Sequence, residues 1–163
     1  MTRLKVLFVC TGNICRSPTA EGVARGLAAK QGADHLFEFD SAGTHGYHVG
    51  DPPDPRTVAA ARRRGYDLAP LRARRVTEFD FIRFDYLLAM DREHLELLGR
   101  SCPRPHLNKL GLFLDFSGNL EEDEVPDPYY GGAQDFERVL DLVEDAAQRL
   151  ILKLSGKSEN DSR

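Results

Sequence analysis

The sequence predicts an α/β fold: a three-layer sandwich with a central, mainly parallel, four-stranded sheet flanked by helices. Two observations predict it. Short, continuous apolar segments alternate along the chain with longer segments whose apolar residues recur at helical spacing. The first apolar segment, residues 4–9, is interrupted only by Lys5, which is typical of a strand covered on both faces of a parallel sheet. Strands that alternate with helices form right-handed βαβ units, so helices are expected on both faces of this sheet.

The boundaries of the elements follow from residues that start or stop them. After the first strand, Ser17 is a favourable N-cap and Pro18 is suited to the first helical position. Gly65 is the expected stop of the second helix. An acidic loop with two prolines precedes the last helix. Further strands are expected at 36–43, 84–91 and 109–116, and further helices at 56–66, 92–99 and 133–154.

Length and composition indicate one domain. The 163 residues are 41% hydrophobic and 29% charged, as in an ordinary globular domain. We expect this single domain to span residues 1–154. Residues 155–163 are polar and charged, and they are expected to form a flexible C-terminal tail.

Charge and hydropathy argue against two classes of partner. The formal net charge of −4 provides no basic character for binding nucleic acid. No apolar segment approaches the roughly 20 residues that a membrane-spanning helix needs. Three cysteines, an odd number, do not form a disulfide framework, which favours a cytoplasmic location.

The turn after the first strand, residues 10–17, has the composition of an anion-binding site. Ligands of such folds bind at the carboxyl ends of the strands, where the backbone N–H groups that open the next helix attract negative charge. Gly12 and Asn13 tolerate the backbone angles that a loop wrapped around an anion requires. Arg16 can place two N–H groups on two phosphate oxygens, and the same positive surroundings favour the thiolate form of Cys10. The sequence therefore predicts a phosphate-binding loop after the first strand, with its own nucleophile.

The spacing of Cys10 and Arg16 is specific within this chain. Neither Cys15 nor Cys102 has an arginine six positions later, and only the match at Cys10 lies between a strand and a helix. The G-x4-G-K-[ST] loop of nucleotide-binding enzymes is absent. From these residues alone a catalytic cysteine is favoured, with a buried structural cysteine as the alternative.

Two segments resemble motifs of one enzyme family. VCTGNICRSPTAEG, residues 9–22, resembles the signature loop of the low-molecular-weight protein tyrosine phosphatases, and VPDPYYGG, residues 125–132, resembles their general-acid loop. Residues 41–56 are similar to the segment beside their active-site mouth, and residues 87–91 to the end of their third strand. The resemblance extends over residues 4–154. It implies a cysteine-dependent hydrolase that dephosphorylates phosphotyrosine and small aryl phosphates through a phosphocysteine intermediate.

The resemblance implies roles for three catalytic residues. Cys10 is expected to be the nucleophile, Arg16 to bind the phosphoryl oxygens, and Asp127 to protonate the leaving phenolate and then activate water. A tyrosine leaving group, with a pKa of about 10, needs such a proton. Asn13 is expected to hold the strained loop and Ser17 to stabilise the thiolate. The residues expected to bind phosphate are Thr11, Gly12, Asn13, Ile14, Cys15, Arg16 and Ser17.

The same resemblance implies an aromatic substrate mouth. Tyr129 and Tyr130 are expected to line one wall and Tyr47 the other, which makes a slot deep enough for an aryl phosphate. An aliphatic residue at Ile14 is the pattern of tyrosine phosphatases, whereas phosphoarginine phosphatases of this fold have threonine. The expected substrates are phosphotyrosine-containing proteins, with a tyrosine kinase as a further partner. The protein is expected to be a monomer or weak dimer and to need no cofactor.

Two residues depart from the family pattern. Leu71 stands where the family often has a histidine that bonds to the loop serine, which affects how the thiolate is stabilised. His94 stands in place of an asparagine, which affects the local structure. His45 and His48 lie in a loop without a third ligand, so no metal site is expected.

A redox hypothesis follows from the second cysteine of the turn. Cys15 lies five positions from Cys10. Oxidant is expected to join the two in a disulfide that switches activity off and protects Cys10 from irreversible oxidation. The alternative is that Cys15 only packs beneath the loop.

Three alternative functions share the same loop. One is a protein arginine phosphatase. An arsenate reductase of this fold needs two further cysteines close together, and only Cys102 is left. A non-catalytic phosphate-binding module would lack the nucleophile or the acid, whereas Cys10, Arg16 and Asp127 are all present.

Overall fold

The structure, a computed structural model, describes residues 2–118 and 121–161, with side chains as far as residue 156. Its sheet consists, within these residues, of β1 (Leu4–Cys10), β2 (Phe37–Gly43), β3 (Tyr86–Ala89) and β4 (Leu110–Leu112). The strands lie in the order β2-β1-β3-β4, and each pairing between them is parallel. The predicted α/β sandwich is confirmed.

Helices cover both faces of this sheet. In the described part of the chain, no helix is long and apolar enough to cross a membrane. Short 3-10 turns lie at Asp34–Leu36, Arg104–Lys109 and Phe113–Phe116. The α-helices are α1 (Arg16–Lys30), α2 (Pro55–Arg63), α3 (Glu78–Arg83), α4 (Arg92–Ser101) and α5 (Ala133–Asp161).

Alternation along β1 builds the two cores. Val6 and Phe8 belong to one core, with residues of α1, α2 and α5, and Leu7 and Val9 belong to a second, with residues of α3 and α4. All four side chains are fully buried. Phe8 also packs edge to face on Phe113, with the ring centroids 4.9 Å apart. Since β1 is covered on both faces, its carboxyl end is held firmly where the loop of residues 10–16 begins.

The first helix begins earlier than predicted. α1 starts at Arg16 with Cys15 in the N-cap position, so the prediction of Ser17 as N-cap is wrong. The hydroxyl of Ser17 contacts Cys10 Sγ and Asn13 Nδ2 instead of capping the backbone. A tertiary network has therefore overridden the local preference of serine for a helix end.

Two other boundaries differ from the predictions. The strand expected at 109–116 ends at Leu112, because Phe113 opens a 3-10 turn in which Phe113 and Leu114 enter the core. The last helix was expected to end at residue 154, whereas α5 continues to Asp161. Residues 162–163 of the expected tail lie outside the described residues.

The short helix α3 was not predicted. Its start does carry a local signal, because Thr77 and Asp80 have the spacing of a capping box. The carboxylate of Asp80 accepts a hydrogen bond from the backbone N–H of Thr77, at 2.8 Å. This turn places Phe81 in the core beside β1.

Gly43, the last residue of β2, lies against the backbone of the loop that follows β1. A Cβ atom at Gly43 would lie 2.8 Å from the carbonyl oxygen of Thr11 and 3.0 Å from that of His45. These are backbone atoms, so they cannot rotate away as a side chain could. The loop can approach β2 this closely only because residue 43 has no side chain.

Replacing Gly43 by alanine is expected to destabilise the protein by about 1–3 kcal/mol, because the added methyl group overpacks a rigid contact. The matched control is Gly99→Ala in α4, where nothing lies within 4 Å of the added Cβ. Helix propensity predicts that this control gains up to about 1 kcal/mol. Urea unfolding of the two variants measures both effects, and a Gly43→Ala protein as stable as the wild type would contradict the prediction.

Candidate active site

The loop after β1 forms the floor of a cavity of about 230 Å³ at the carboxyl end of the sheet. A larger groove, of about 600 Å³, lies beside α3 and α4, and no cysteine lines it. The smaller cavity brings together the three residues that were predicted to be catalytic and the three tyrosines that were predicted to line the mouth. It is lined by Cys10, Thr11, Gly12, Ile14, Cys15, Arg16, Tyr47, His48, Asp127, Tyr129 and Tyr130.

Asn13 and Ser17, also predicted to bind phosphate, have side chains that lie beneath the loop. They are 2% and 0% exposed and do not line the cavity. Cys10 Sγ lies 2.9 Å from Ser17 Oγ. Asn13 Nδ2 donates to Ser17 Oγ at 2.8 Å. Since Ser17 Oγ accepts from Asn13, the hydroxyl hydrogen of Ser17 is free to point at the sulfur, where it stabilises a thiolate.

The network continues from Asn13 to a buried carboxylate. Asn13 Nδ2 also donates to Ser41 Oγ, at 2.9 Å, and Ser41 Oγ donates to Glu21 Oε1, at 2.7 Å. Glu21 is 3% exposed and forms a 2.6 Å ion pair with Arg25, one helical turn away. Burial raises the pKa of Glu21 above its ordinary value, while Ser41 and Arg25 oppose that shift. No motif in the sequence predicted this role for Ser41 or Glu21. The one local indication is the spacing of Glu21 and Arg25, which is that of an ion pair on one face of a helix.

Asn13 itself is held by its backbone and by the segment after α2. Its φ of 60° is left-handed, a conformation that asparagine tolerates better than most residues. Its Oδ1 accepts from the backbone N–H of Arg74 at 3.0 Å, which directs Nδ2 toward the two serines. The Arg74 guanidinium is fixed in turn by Asp40 and Asp80, both at 3.0 Å. Leu71 has no polar side-chain group and packs against the apolar core. The hydroxyl of Ser17 contacts Asn13 and Cys10 instead.

Arg16 is buried beneath the cavity with partners on three sides. Its Nη1 donates to Asp91 Oδ2 at 2.9 Å and to the carbonyl oxygen of Val125 at 3.1 Å. Its Nη2 lies 3.5 Å from His94 Nε2 and 3.7 Å from Asp127 Oδ2. Neither Asp91 nor His94 was predicted to contact Arg16, because both lie far from the loop along the chain.

Asp127 lies on the rim of the cavity, and 52% of its side chain is exposed. Its Oδ1 accepts from the backbone N–H of Tyr129 at 3.1 Å. The loop that carries it is tied to the sheet, because the backbone N–H of Val125 donates to the carbonyl of Met90 at 2.8 Å. The carboxyl group therefore faces both the solvent and Arg16.

Arg56 ties the other end of this loop to α2, a role that sequence analysis missed. Its Nη2 donates to the carbonyl oxygen of Tyr129 at 3.0 Å, and its guanidinium pairs with Asp54 at 2.9 Å. The guanidinium carbon also lies 4.7 Å from the ring centroid of Phe136 and 5.5 Å from that of Tyr129. The backbone N–H of Asp54 donates to the carbonyl of Ile14, so this clamp is connected to the floor of the cavity.

The mouth is aromatic and open. Tyr47 and Tyr130 are 73% and 94% exposed, whereas Tyr129 is 39% exposed. Tyr129 and Tyr130 meet edge to face with ring centroids 4.9 Å apart, and Tyr47 stacks on His45 at 5.0 Å. Exposed rings around a narrow polar floor are suited to an aromatic group that carries a charged end.

Cys15 lies buried in the same loop as a free thiol. Burial, with Asp54 and Cys10 contributing, raises its pKa to about 12, so it is protonated at neutral pH. Cys102 is also free and does not line the cavity. Among the residues that the structure describes, no group of three or more metal-ligating side chains is found.

Comparison with known proteins agrees with this geometry. Residues 5–160 match the family model described as low molecular weight phosphotyrosine protein phosphatase. The chain is 38% identical to the low molecular weight protein-tyrosine-phosphatase YfkJ of Bacillus subtilis, over 96% of this chain and 99% of that protein. It is 42% identical to the human low molecular weight phosphotyrosine protein phosphatase, over 82% of this chain and 85% of that protein.

Solved structures agree as well. A crystal structure of a protein tyrosine phosphatase from Entamoeba histolytica superposes with a TM-score of 0.91 and 42% identity. The superposition covers 94% of this chain and 98% of that one. The family model covers residues 5–160, which include the loop after β1 and the loop that carries Asp127, and the relatives and the solved structure cover most of the chain. The chain therefore belongs to the low molecular weight phosphotyrosine protein phosphatase family.

Proposed function

We propose that this protein hydrolyses phosphotyrosine, and small aryl phosphates, through a phosphocysteine on Cys10. One observation carries the proposal: the thiol of Cys10, the guanidinium of Arg16 and the carboxyl of Asp127 face one cavity, with Asp127 and Arg16 3.7 Å apart. A nucleophile, an oxyanion clamp and a proton donor are the groups that phosphoryl transfer from an aryl ester requires.

In the first step the phosphoryl group passes to the cysteine. The thiolate of Cys10 attacks phosphorus, an S–P bond forms, and the P–O bond to the aryl group breaks. The carboxyl group of Asp127 gives its proton to the departing phenolate, which leaves as a neutral tyrosine side chain. Arg16 binds two of the non-bridging oxygens, on which charge is spread in the transition state.

In the second step water releases phosphate. The Asp127 carboxylate takes a proton from water as the water oxygen attacks phosphorus. The S–P bond breaks, inorganic phosphate leaves and the Cys10 thiolate is restored. The exposure of Asp127 favours this role, because water can reach its carboxylate on the rim.

The shape of the mouth favours a phosphorylated tyrosine over the alternatives. Tyr47, Tyr129 and Tyr130 surround the entrance, and Ile14 lies on the cavity wall where a flat ring would pack. For an arsenate reductase, the only cysteine left is Cys102, which lies outside the cavity. A protein arginine phosphatase is the alternative that the measurements below include.

The proposed activity also bears on the substrates, the oligomeric state and the location of the protein. We propose that the substrates are tyrosine-phosphorylated proteins, that a tyrosine kinase supplies them, and that the enzyme acts as a monomer or weak dimer in the cytoplasm. The buried free thiols of Cys10 and Cys15 are suited to a reducing compartment.

Replacing Cys10 by serine is expected to lower turnover of p-nitrophenyl phosphate by more than about 10³-fold, because the nucleophile is lost. Binding of inorganic phosphate is expected to persist, since Arg16 and the loop amides remain. Turnover is measured with EDTA and reductant present, with phosphoarginine as a parallel substrate and Cys102→Ser as the matched control. Activity that survives in Cys10→Ser would contradict the mechanism, and faster turnover of phosphoarginine would move the protein to the arginine phosphatases.

Replacing Asp127 by asparagine is expected to slow a poor leaving group far more than a good one. The loss expected for phenyl phosphate is about 10²–10⁴-fold, the usual contribution of a general acid. For p-nitrophenyl phosphate a much smaller loss in the first step is expected, because its phenolate leaves without a proton. Asp34→Asn is the control, because this exposed residue precedes β2 at the opposite end of the sheet. Equal losses for both substrates would show that another group supplies the proton.

We further propose that oxidant joins Cys10 and Cys15 in a disulfide. The Cys10 thiolate attacks one oxygen of peroxide, the O–O bond breaks, and Cys10 becomes a sulfenic acid while the other oxygen leaves as hydroxide. The Cys15 thiol then attacks that sulfur, and the S–S bond forms as water leaves. Since the pKa of Cys15 is raised to about 12, peroxide is expected to attack Cys10 first. An added thiol returns both residues to thiols.

The Cys15→Ala variant is expected to lose reversibility after peroxide treatment. The Cys10 sulfenic acid then has no resolving thiol in the loop and proceeds to sulfinic acid, which thiols do not reduce. Recovery of activity after dithiothreitol is the measurement, with Cys102→Ala as the matched control. Full recovery in Cys15→Ala would show that Cys15 only packs beneath the loop.

A further inference from the structure

His94 is buried directly against the catalytic loop. It lies in the first turn of α4 and is 1% exposed. Its Nε2 atom lies 2.7 Å from Thr11 Oγ1 and 3.5 Å from Arg16 Nη2. Nε2 thus contacts both the Thr11 side chain on the wall of the cavity and the Arg16 guanidinium at the base of the cavity.

Two contacts determine where the proton of the ring lies. Arg16 has only N–H donors, so the nitrogen that faces it must be an acceptor. The other nitrogen, Nδ1, lies 3.0 Å from Asp91 Oδ1, and a lone pair there would repel the carboxylate. That contact is short but not aligned as a hydrogen bond, and the same oxygen also accepts from the backbone N–H of His94 at 2.9 Å. Both contacts therefore place the proton on Nδ1.

Burial, together with the positive charge of Arg16, keeps the ring of His94 neutral. Arg16 approaches from α1, Asp91 from the start of α4, Asp127 from the acid loop, and His45 from the loop after β2. Burial lowers the pKa of His94 to about 4; Arg16 and His45 add to this effect, and the two carboxylates oppose it. Since a depressed histidine pKa means that the proton is lost at lower pH, the ring is an uncharged acceptor at neutral pH.

We infer that His94 is a positioning residue: as a neutral acceptor, it orients the Thr11 hydroxyl and the Arg16 guanidinium for phosphate. Asp91 and Val125 hold Nη1 of Arg16, so His94 is the neighbour that restrains Nη2 from the α4 side. Without an acceptor at this place, the guanidinium can turn toward Asp127, 3.7 Å away. A charged ring would have a second N–H group facing a cation. The inference rests on the phosphatase function proposed above.

Two variants separate this role from simple packing. His94→Leu fills the space without an acceptor, whereas His94→Asn keeps an acceptor oxygen and a donor nitrogen on a planar group. We expect His94→Leu to lose about 10- to 100-fold in kcat/KM for p-nitrophenyl phosphate, the range for a slightly misplaced catalytic group. We also expect a weaker affinity for inorganic phosphate. His94→Asn is expected to stay within about threefold of the wild type, and His35→Leu, on an exposed turn, is the control.

The outcomes distinguish the roles clearly. A purely structural role lowers the melting temperature of His94→Leu but leaves kcat per folded molecule and phosphate affinity unchanged, and that result would overturn the inference. A loss of kcat/KM in both His94→Leu and His94→Asn, with unchanged melting temperatures, would also overturn the inference. A wild-type protein without turnover would instead reject the proposed function, while its phosphate affinity would still test His94.

A measurement on the wild type avoids variants that fail to fold. Long-range ¹H–¹⁵N NMR of the histidine side chains reports which ring nitrogen carries the proton, with and without inorganic phosphate. We expect His94 to have its proton on Nδ1 at neutral pH in both states. A proton on Nε2 would contradict the inference whatever the activity of the variants.

The pH profile provides a third readout. The ratio of wild-type to His94→Asn kcat/KM is expected to be constant near neutral pH and to fall as the pH approaches about 4, where His94 takes up its proton. The comparison removes the titration of substrate and thiol, which both proteins share. A ratio that stays constant down to that pH would mean that a charged ring positions Arg16 equally well, and would overturn the inference.

Discussion

Asn13 is buried in a left-handed backbone conformation, with φ at 60°, and the hydrogen bonds of its amide hold the catalytic loop in shape. Its oxygen accepts from the backbone of Arg74, and its nitrogen donates to Ser17 and Ser41. Such a conformation costs free energy and persists where the surroundings over-determine it. Here the same bonds that stabilise it also orient the hydroxyl group beside Cys10. The shape of the loop and the chemistry of the thiol therefore depend on one amide.

Buried charge is the second constraint. A guanidinium taken out of water destabilises the folded state strongly unless it is paired and hydrogen-bonded. Arg16, at 5% exposure, meets this condition through Asp91, the carbonyl of Val125 and the nitrogen of His94. Glu21 meets it through Ser41 and Arg25. Because the protein's own groups hold Arg16 and Glu21 in place, substrate binding energy is not needed to assemble them.

Residue patterns alone predicted the part of the site that is contiguous along the chain, whereas Asp127 and the three tyrosines were expected only from the family resemblance. Cys10 and Arg16 share one turn, and the apolar segment before that turn identifies the strand that carries it. Ser41 and Arg56 were missed because they reach the site through tertiary contacts that no local pattern records. The N-cap predicted at Ser17 was wrong for a related reason. Its hydroxyl satisfies the thiol and Asn13, and that network is visible only once the chain has folded.

Hydrogen bonds connect Val125, in the loop that carries Asp127, to the loop after β1 in a closed ring. The N–H of Met90 donates to the carbonyl of Val9, and the N–H of Val125 donates to the carbonyl of Met90. The carbonyl of Val125 then accepts from Nη1 of Arg16, whose loop begins immediately after Val9. These bonds continue the pairing of the sheet past the end of β3, as far as Val125. A displacement of Val125 must stretch a bond to the sheet or move the guanidinium. The position of Val125, two residues before Asp127, is therefore tied to the sheet and to Arg16 and does not depend on the exposed aromatic rim.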